Sequence, residues 1–172
     1  YTANPQWRNR FRSTSSHNTV VVDHAEQQHF AERQLFLIRN DAQPKVNHWR
    51  VAEQHDFFKG THAGYQRLSA PVTHQRTIFF DKTACFWIVL DQLTGQAAHP
   101  CDLYFHFAPM PLAVDDANPL FIRTQRAQEP NLLLLPLLPD GLSVTIEEGW
   151  MSLSYGLKQP APVVKYSQTG PL

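Results

Sequence analysis

The sequence predicts an all-β protein, an antiparallel β-sandwich of two stacked sheets, from three observations. Period-two alternation with β-branched and aromatic runs recurs along the chain, no segment sustains a helical repeat, and turn residues bound the runs. Thirteen prolines fall mostly between those runs, where a missing N–H does least harm. At 172 residues the expectation is one domain over 1–172, large enough to bury a substantial apolar core.

Taken in order, strands are expected at 17–23, 34–38, 47–53, 57–60, 72–81, 85–91, 102–108, 120–124, 131–135, 142–147 and 151–157. Turns separate them at Asn40-Asp41 ahead of Pro44, Asp81-Lys82, Thr94-Gly95, Asp140-Gly141 and Glu148-Gly149. A short helix over 25–33 is compatible with the pattern, although His and Gln are middling helix formers. The run 85–90 is apolar on both faces, so it reads as a strand buried on both sides with Trp87 in the core. The run 72–81 alternates Thr73, Gln75 and Thr77 with His74, Arg76 and Ile78, a polar surface suited to lining a groove.

Fifteen basic and fifteen acidic residues cancel, leaving no electrostatic footprint for nucleic acid or an anionic membrane. A neutral total still permits a local basic groove, so an acidic polysaccharide stays open as a partner. No apolar run approaches membrane-spanning length. Cys85 and Cys101 do not make a disulfide framework. If Thr94-Gly95 closes a two-residue hairpin, Cys85 falls opposite Tyr104, so two separate thiols are expected.

Nine histidines are many for this length, yet no H-x-H, H-E-x-x-H or C-x-x-C spacing occurs. No serine occupies a G-x-S-x-G elbow and no glycine-rich phosphate loop is present. Spacing alone therefore describes a β-sandwich with unusually polar strand starts.

The segment Trp7-Arg8-Asn9-Arg10-Phe11-Arg12-Ser13-Thr14-Ser15-Ser16-His17-Asn18-Thr19-Val20-Val21-Val22-Asp23 resembles the signature that opens the C-terminal β-sandwich of the heparinase II/III-like polysaccharide lyases. Gly60 to Leu68 with Pro71 to Arg76, Asp91 to Gly95, Phe105 to Pro109, and Gly149-Trp150 through Tyr155-Gly156 follow in the family's order. The resemblance implies a fragment of a larger enzyme, trimmed at both ends, in which an α/α toroid precedes the sandwich. It implies uronate-containing polysaccharides as substrates, cleaved by β-elimination, and periplasmic or secreted location. The catalytic tyrosine, the carboxylate neutraliser, and an H-x-H segment with an aspartate are expected upstream of Tyr1. No catalytic residue is therefore expected within this chain.

In the zinc-containing relatives, the histidine of the H-N-T block joins those upstream ligands, so the resemblance makes His17 a metal ligand in the full-length parent. No zinc is expected in the isolated chain. Arg10 and Arg12 lead the same strand, and alternation places them on one face. Guanidinium groups grip carboxylates and sulfates bidentately, so both are substrate-binding candidates; an ion pair with the missing helical domain is the alternative. His62 and Tyr65 lie in a loop able to reach a sugar, with loop packing as the alternative. Relatives commonly carry Gly where His24 stands, so this turn must avoid positive φ or bear strain. Three functions remain open: an incomplete lyase half, an acidic-glycan-binding module without chemistry, or a structural module that docks a partner domain.

Overall fold

The computed structural model describes residues 4–172; Tyr1, Thr2 and Ala3 of the expected 1–172 domain lie outside the described residues. The chain divides into two compact units, residues 4–24 with 100–169 and residues 25–99 with 170–172. Nearly all of the regular structure is antiparallel β.

The first unit begins with a helix where an extended lead into a strand was expected. α1 (Pro5–Arg12) starts because Asn4 accepts the Trp7 N–H at 3.1 Å as N-cap, and Pro5 stands in the first turn where its missing N–H is harmless. It stops at Ser13, whose N–H and hydroxyl both donate to the Arg10 carbonyl, joined by the Ser16 hydroxyl at 2.7 Å. Residues two apart on a helix point about 200° from one another, so Arg10 and Arg12 do not share a face. Arg8 and Arg12, four apart, do. A 3₁₀ turn, Thr14–Ser16, then feeds β1 (Val20–Val22), which is shorter than the expected 17–23 and wholly buried.

β1 pairs antiparallel with β6 (Ala98–His106), Val21 opposite Asp102. Two long strands complete this sheet, β10 (Ser143–Ser154) and β11 (Leu157–Pro171), in the order β1-β6-β11-β10. The turn expected at Glu148-Gly149 is absent: β10 runs straight through, and Gly149 lies opposite Ala161. Glycine is needed there for cross-strand approach, because a Cβ would collide with the Val163 side chain. The hairpin instead closes at Tyr155-Gly156, with Gly156 at φ 79°. β11 was not expected: the last expected strand ended at 157, and Pro160 and Pro162 lay beyond it. Each residue's N–H serves only one neighbouring strand in an antiparallel sheet, so an imino residue costs a bond on one side only.

A smaller sheet of β7 (Leu112–Val114), β8 (Ile122–Thr124) and β9 (Leu133–Leu134) belongs to the same unit. Ile122 of β8 packs with Val164 and Tyr166 of β11, ringed by Leu103, Leu112, Leu134 and Val144. This is the sandwich core: two sheets closed over aliphatic side chains, with the Tyr166 hydroxyl donating to the Leu120 carbonyl at 2.7 Å. Burial pushes the Tyr166 phenol up to about 12.

The second unit is a four-stranded meander of β2 (Lys45–Val51), β3 (His55–His62), β4 (Thr73–Asp81) and β5 (Phe86–Thr94), in that order. Asp81 forms the expected turn into β5 by accepting the Thr83 and Ala84 N–H groups at 2.9 and 2.8 Å. Neither the helix over 25–33 nor the strand at 34–38 forms. Asp41 takes both the His29 N–H and its Nδ1 at 2.7 and 2.8 Å, and Arg39 N–H reaches the His29 carbonyl, so the segment folds as a loop upon itself. β5 corrects a further expectation. It is an edge strand, and Trp87 is 55% exposed rather than core. β5 and β6 lie in different sheets, so Thr94-Gly95 joins sheets instead of closing a hairpin. Cys85 and Cys101 form no disulfide.

Candidate functional site

In the first unit α1 is held against the hairpin of β10 and β11. The Trp7 and Trp150 rings meet edge to face at 4.9 Å, and the Lys158 ammonium lies 4.3 Å from the Trp7 centroid and 5.1 Å from that of Trp150. The Arg10 guanidinium lies 5.7 Å from the centroid of the same Trp7 ring. Such cation–π contacts are worth about 0.5–1 kcal/mol each when exposed. Together they fix the helix that carries the arginines.

Two concavities flank this helix, both walled by Phe11 and Trp150. One, of about 240 Å³, takes Arg10 together with Ser15, Tyr104, His106 and Glu148. The other, of about 370 Å³, takes Arg8 and Arg12 with Ser152. The arginines expected on a common strand face thus serve separate pockets. Glu147 also borders the first pocket, but it is ion-paired with Lys165.

His106, which the sequence offered only within the block Phe105 to Pro109, borders the first concavity, and its ring is held in one orientation. Its backbone N–H donates to Asn18 Oδ1 at 2.7 Å, and its ring Nε2 meets the Ser15 carbonyl at 3.0 Å. A carbonyl only accepts, so Nε2 carries the proton and Nδ1 keeps a lone pair. Burial lowers the His106 pKa, aided by nearby His17 and opposed by the Ser15 carbonyl. His17 itself is exposed and ends the 3₁₀ turn, its N–H bonded to the Thr14 carbonyl at 3.1 Å. Among the described residues no three His, Cys, Asp or Glu side chains converge on a common point. The donors present do not by themselves compose a tetrahedral zinc site.

The second unit holds the other two candidates, His62 and Tyr65. Strand pairing sets His62 opposite His74 and Arg76 opposite Asp91. His62 Nε2 lies 2.8 Å from His74 Nδ1, and His74 Nε2 lies 2.7 Å from Asp91 Oδ1. Arg76 closes on the same carboxylate bidentately, Nε to Oδ1 at 2.7 Å and Nη2 to Oδ2 at 2.8 Å. Gly64 N–H donates to His62 Nδ1 at 3.1 Å, which leaves both His62 nitrogens engaged. Tyr65 is 0% exposed, its ring 5.4 Å from that of His62, and so faces the interior rather than a ligand. Burial first, then the His74 and Arg76 charges, lowers His62 to about 4. In the sequence His74 and Arg76 stood out only as part of the polar alternation of 72–81, and Asp91 only within its block.

The family described as Heparinase II/III-like, C-terminal matches residues 1–170. Among solved structures, the heparan sulfate lyase HepC from Pedobacter heparinus superposes with a TM-score of 0.77 at 21% identity, over 98% of this chain and 24% of that one. A heparinase III, the BT4657 gene product, gives 0.75 at 22% identity, over 94% of this chain and 23% of that one. No curated protein matches the chain. At these identities the likeness is one of fold, and the chain spans about a quarter of the length of those structures. The family match and the shared fold agree with the residue blocks: this chain belongs to the heparinase II/III-like C-terminal family.

Proposed function

We propose that the chain is the C-terminal domain of a polysaccharide lyase that cleaves uronate-containing polysaccharides by β-elimination, lining the substrate cleft with α1 and β10. Elimination requires neutralisation of the uronate carboxylate, removal of the C5 proton by a base, and protonation of the departing oxygen. This chain contributes to the grip. Arg10 and Arg12 offer planar, bidentate donors to carboxylate or sulfate, and Trp150, which lines both concavities, offers an apolar wall to a sugar face. The base and acid belong to an upstream helical toroid, so the chain by itself does not turn over substrate. His17 supplies one imidazole to a zinc ion completed by upstream ligands. The parent works in the periplasm or outside the cell.

The observation that carries this reading is that Arg10 and Arg12 line two separate concavities that share Phe11 and Trp150. The alternative of a partner-domain docking module draws on a different observation, the exposed apolar side chains of β2 and β5, among them Trp49 at 67% and Trp87 at 55%. Retention of the chain on immobilised heparan sulfate, compared with a neutral glucan, tests the first reading. Retention is expected, reduced about tenfold by Arg12→Ala and weakened by salt. Equal retention of wild type and variant removes the arginine grip. Formation of unsaturated uronate product by the chain alone, seen as ultraviolet absorbance, overturns the assignment of the catalytic groups upstream.

A further inference from the structure

We propose that Gly64, His62, His74, Asp91 and Arg76 form a proton-ordered lock that ties the loop after β3 to β4 and β5, with both imidazoles neutral, and that acid opens it. The proposal uses no residue of α1 or β10, so it stands or falls apart from the glycan reading.

Donors and acceptors along the chain of bonds fix the position of each proton. Arg76 donates to both Asp91 oxygens, which fixes the carboxylate as an anion. His74 Nε2 faces Asp91 Oδ1 at 2.7 Å and therefore carries a proton. At the other end Gly64 N–H points at His62 Nδ1, which must be a bare acceptor. The remaining bond, His62 Nε2 to His74 Nδ1 at 2.8 Å, holds one proton, and it belongs to His62. The direction is thus fixed from Gly64 through His62 and His74 to Asp91. Every ring nitrogen is used once.

No proton can be added without breaking a bond. On His62 the only vacant nitrogen faces the Gly64 N–H. On His74 it faces the His62 N–H, and moving that proton to Nδ1 of His62 only transfers the clash to Gly64. Charge points the same way. The described groups facing His62 are His74 and Arg76 of β4, Asp91 of β5, and the ring of Tyr65 from the loop. Arg76 and Asp91 neutralise each other, so no net negative charge remains to favour an imidazolium. His74 is only 2% exposed, which removes solvent as an alternative partner.

The sign follows from His62, which is lowered from the ordinary 6.5 to about 4. The unfolded chain takes up a proton below the ordinary value while the folded one resists, so stability is complete above that value and falls as pH drops towards the lowered one. The unfolding constant rises by up to tenfold per pH unit across that window.

The experiment uses the whole chain labelled with nitrogen-15. Long-range proton–nitrogen spectra at neutral pH should show His62 and His74 both protonated at Nε2, with His62 not titrating near the ordinary histidine value. Unfolding is then followed by denaturant in steps of pH from neutral to acid. His62→Gln keeps a donor for His74 but has no basic nitrogen, so its stability should fall less steeply with acid than that of the wild type. An Nδ1-protonated ring, a His62 that titrates near 6.5, or identical pH slopes for wild type and variant overturns the lock. If the variant does not fold, the wild-type spectra decide alone.

Discussion

Asp23 and His24 turn the chain together as it leaves β1, at φ 53° and φ 54°, two consecutive residues in the left-handed region. The turn bears positive φ rather than avoiding it, and it does so without glycine. His24 is 76% exposed at its side chain, with Nδ1 3.6 Å from Asp102, a contact worth little in water. His24→Gly should therefore stabilise the chain by about 0.5–1 kcal/mol, since relief of left-handed strain exceeds the added flexibility of the unfolded state. Chemical denaturation measures this, and a less stable variant would show that the His24–Asp102 contact matters more than the backbone.

Gly64 is buried, and a Cβ there would run into the Gln27 carbonyl, which is backbone and cannot swing aside. Gly64→Ala should cost about 1–3 kcal/mol. It should also disturb the N–H that orients His62, so its His62 spectrum should change along with its stability. A variant as stable as wild type would mean that the 25–44 segment yields readily.

Lys158 lies over Trp7 and Trp150 at 4.3 and 5.1 Å. Lys158→Met keeps the apolar stem and removes the charge, and should loosen α1 by about 0.5–1 kcal/mol. Tryptophan emission and exchange of the α1 amides report the change. Unaltered exchange would assign the anchoring of the helix to the ring–ring contact alone.

Asp91 answers to two opposed influences. Burial raises its pKa, but the hydrogen bonds from His74 and Arg76 outweigh it and hold the carboxyl below the ordinary 3.8. Its contribution to stability is therefore full above the ordinary value and is lost as pH falls through the lowered one. Asp91→Asn leaves the Arg76 cation without its partner and should destabilise the second unit by about 3 kcal/mol or more. A loss under about 1 kcal/mol, measured by urea unfolding, would mean that the pair is solvated rather than closed.

The strand pattern was readable along much of the chain because alternation is local. The run 72–81 became Thr73–Asp81, and Asp140-Gly141 became a turn with Gly141 at φ 70°. α1 was missed, although Asn4-Pro5 is a sound helix start, because eight residues are too few to show a periodic stripe. The strand at 34–38 failed for the opposite reason: Phe36 and Ile38 have strand character, but Asp41 and His29 bond across the loop and hold the backbone elsewhere. Apolarity placed Trp87 in the core, yet composition does not record which strand lies at a sheet edge.

The sequence by itself determined the antiparallel β class and the family, since these rest on neighbouring residues and their order. Only the tertiary structure decided that Arg10 and Arg12 serve different pockets, because helical rather than extended backbone sets their directions. It also decided that His62 faces His74 and Arg76 faces Asp91, partners twelve and fifteen residues apart. Those pairings depend on strand register, and register is settled by packing across the sheet rather than by any stretch read alone.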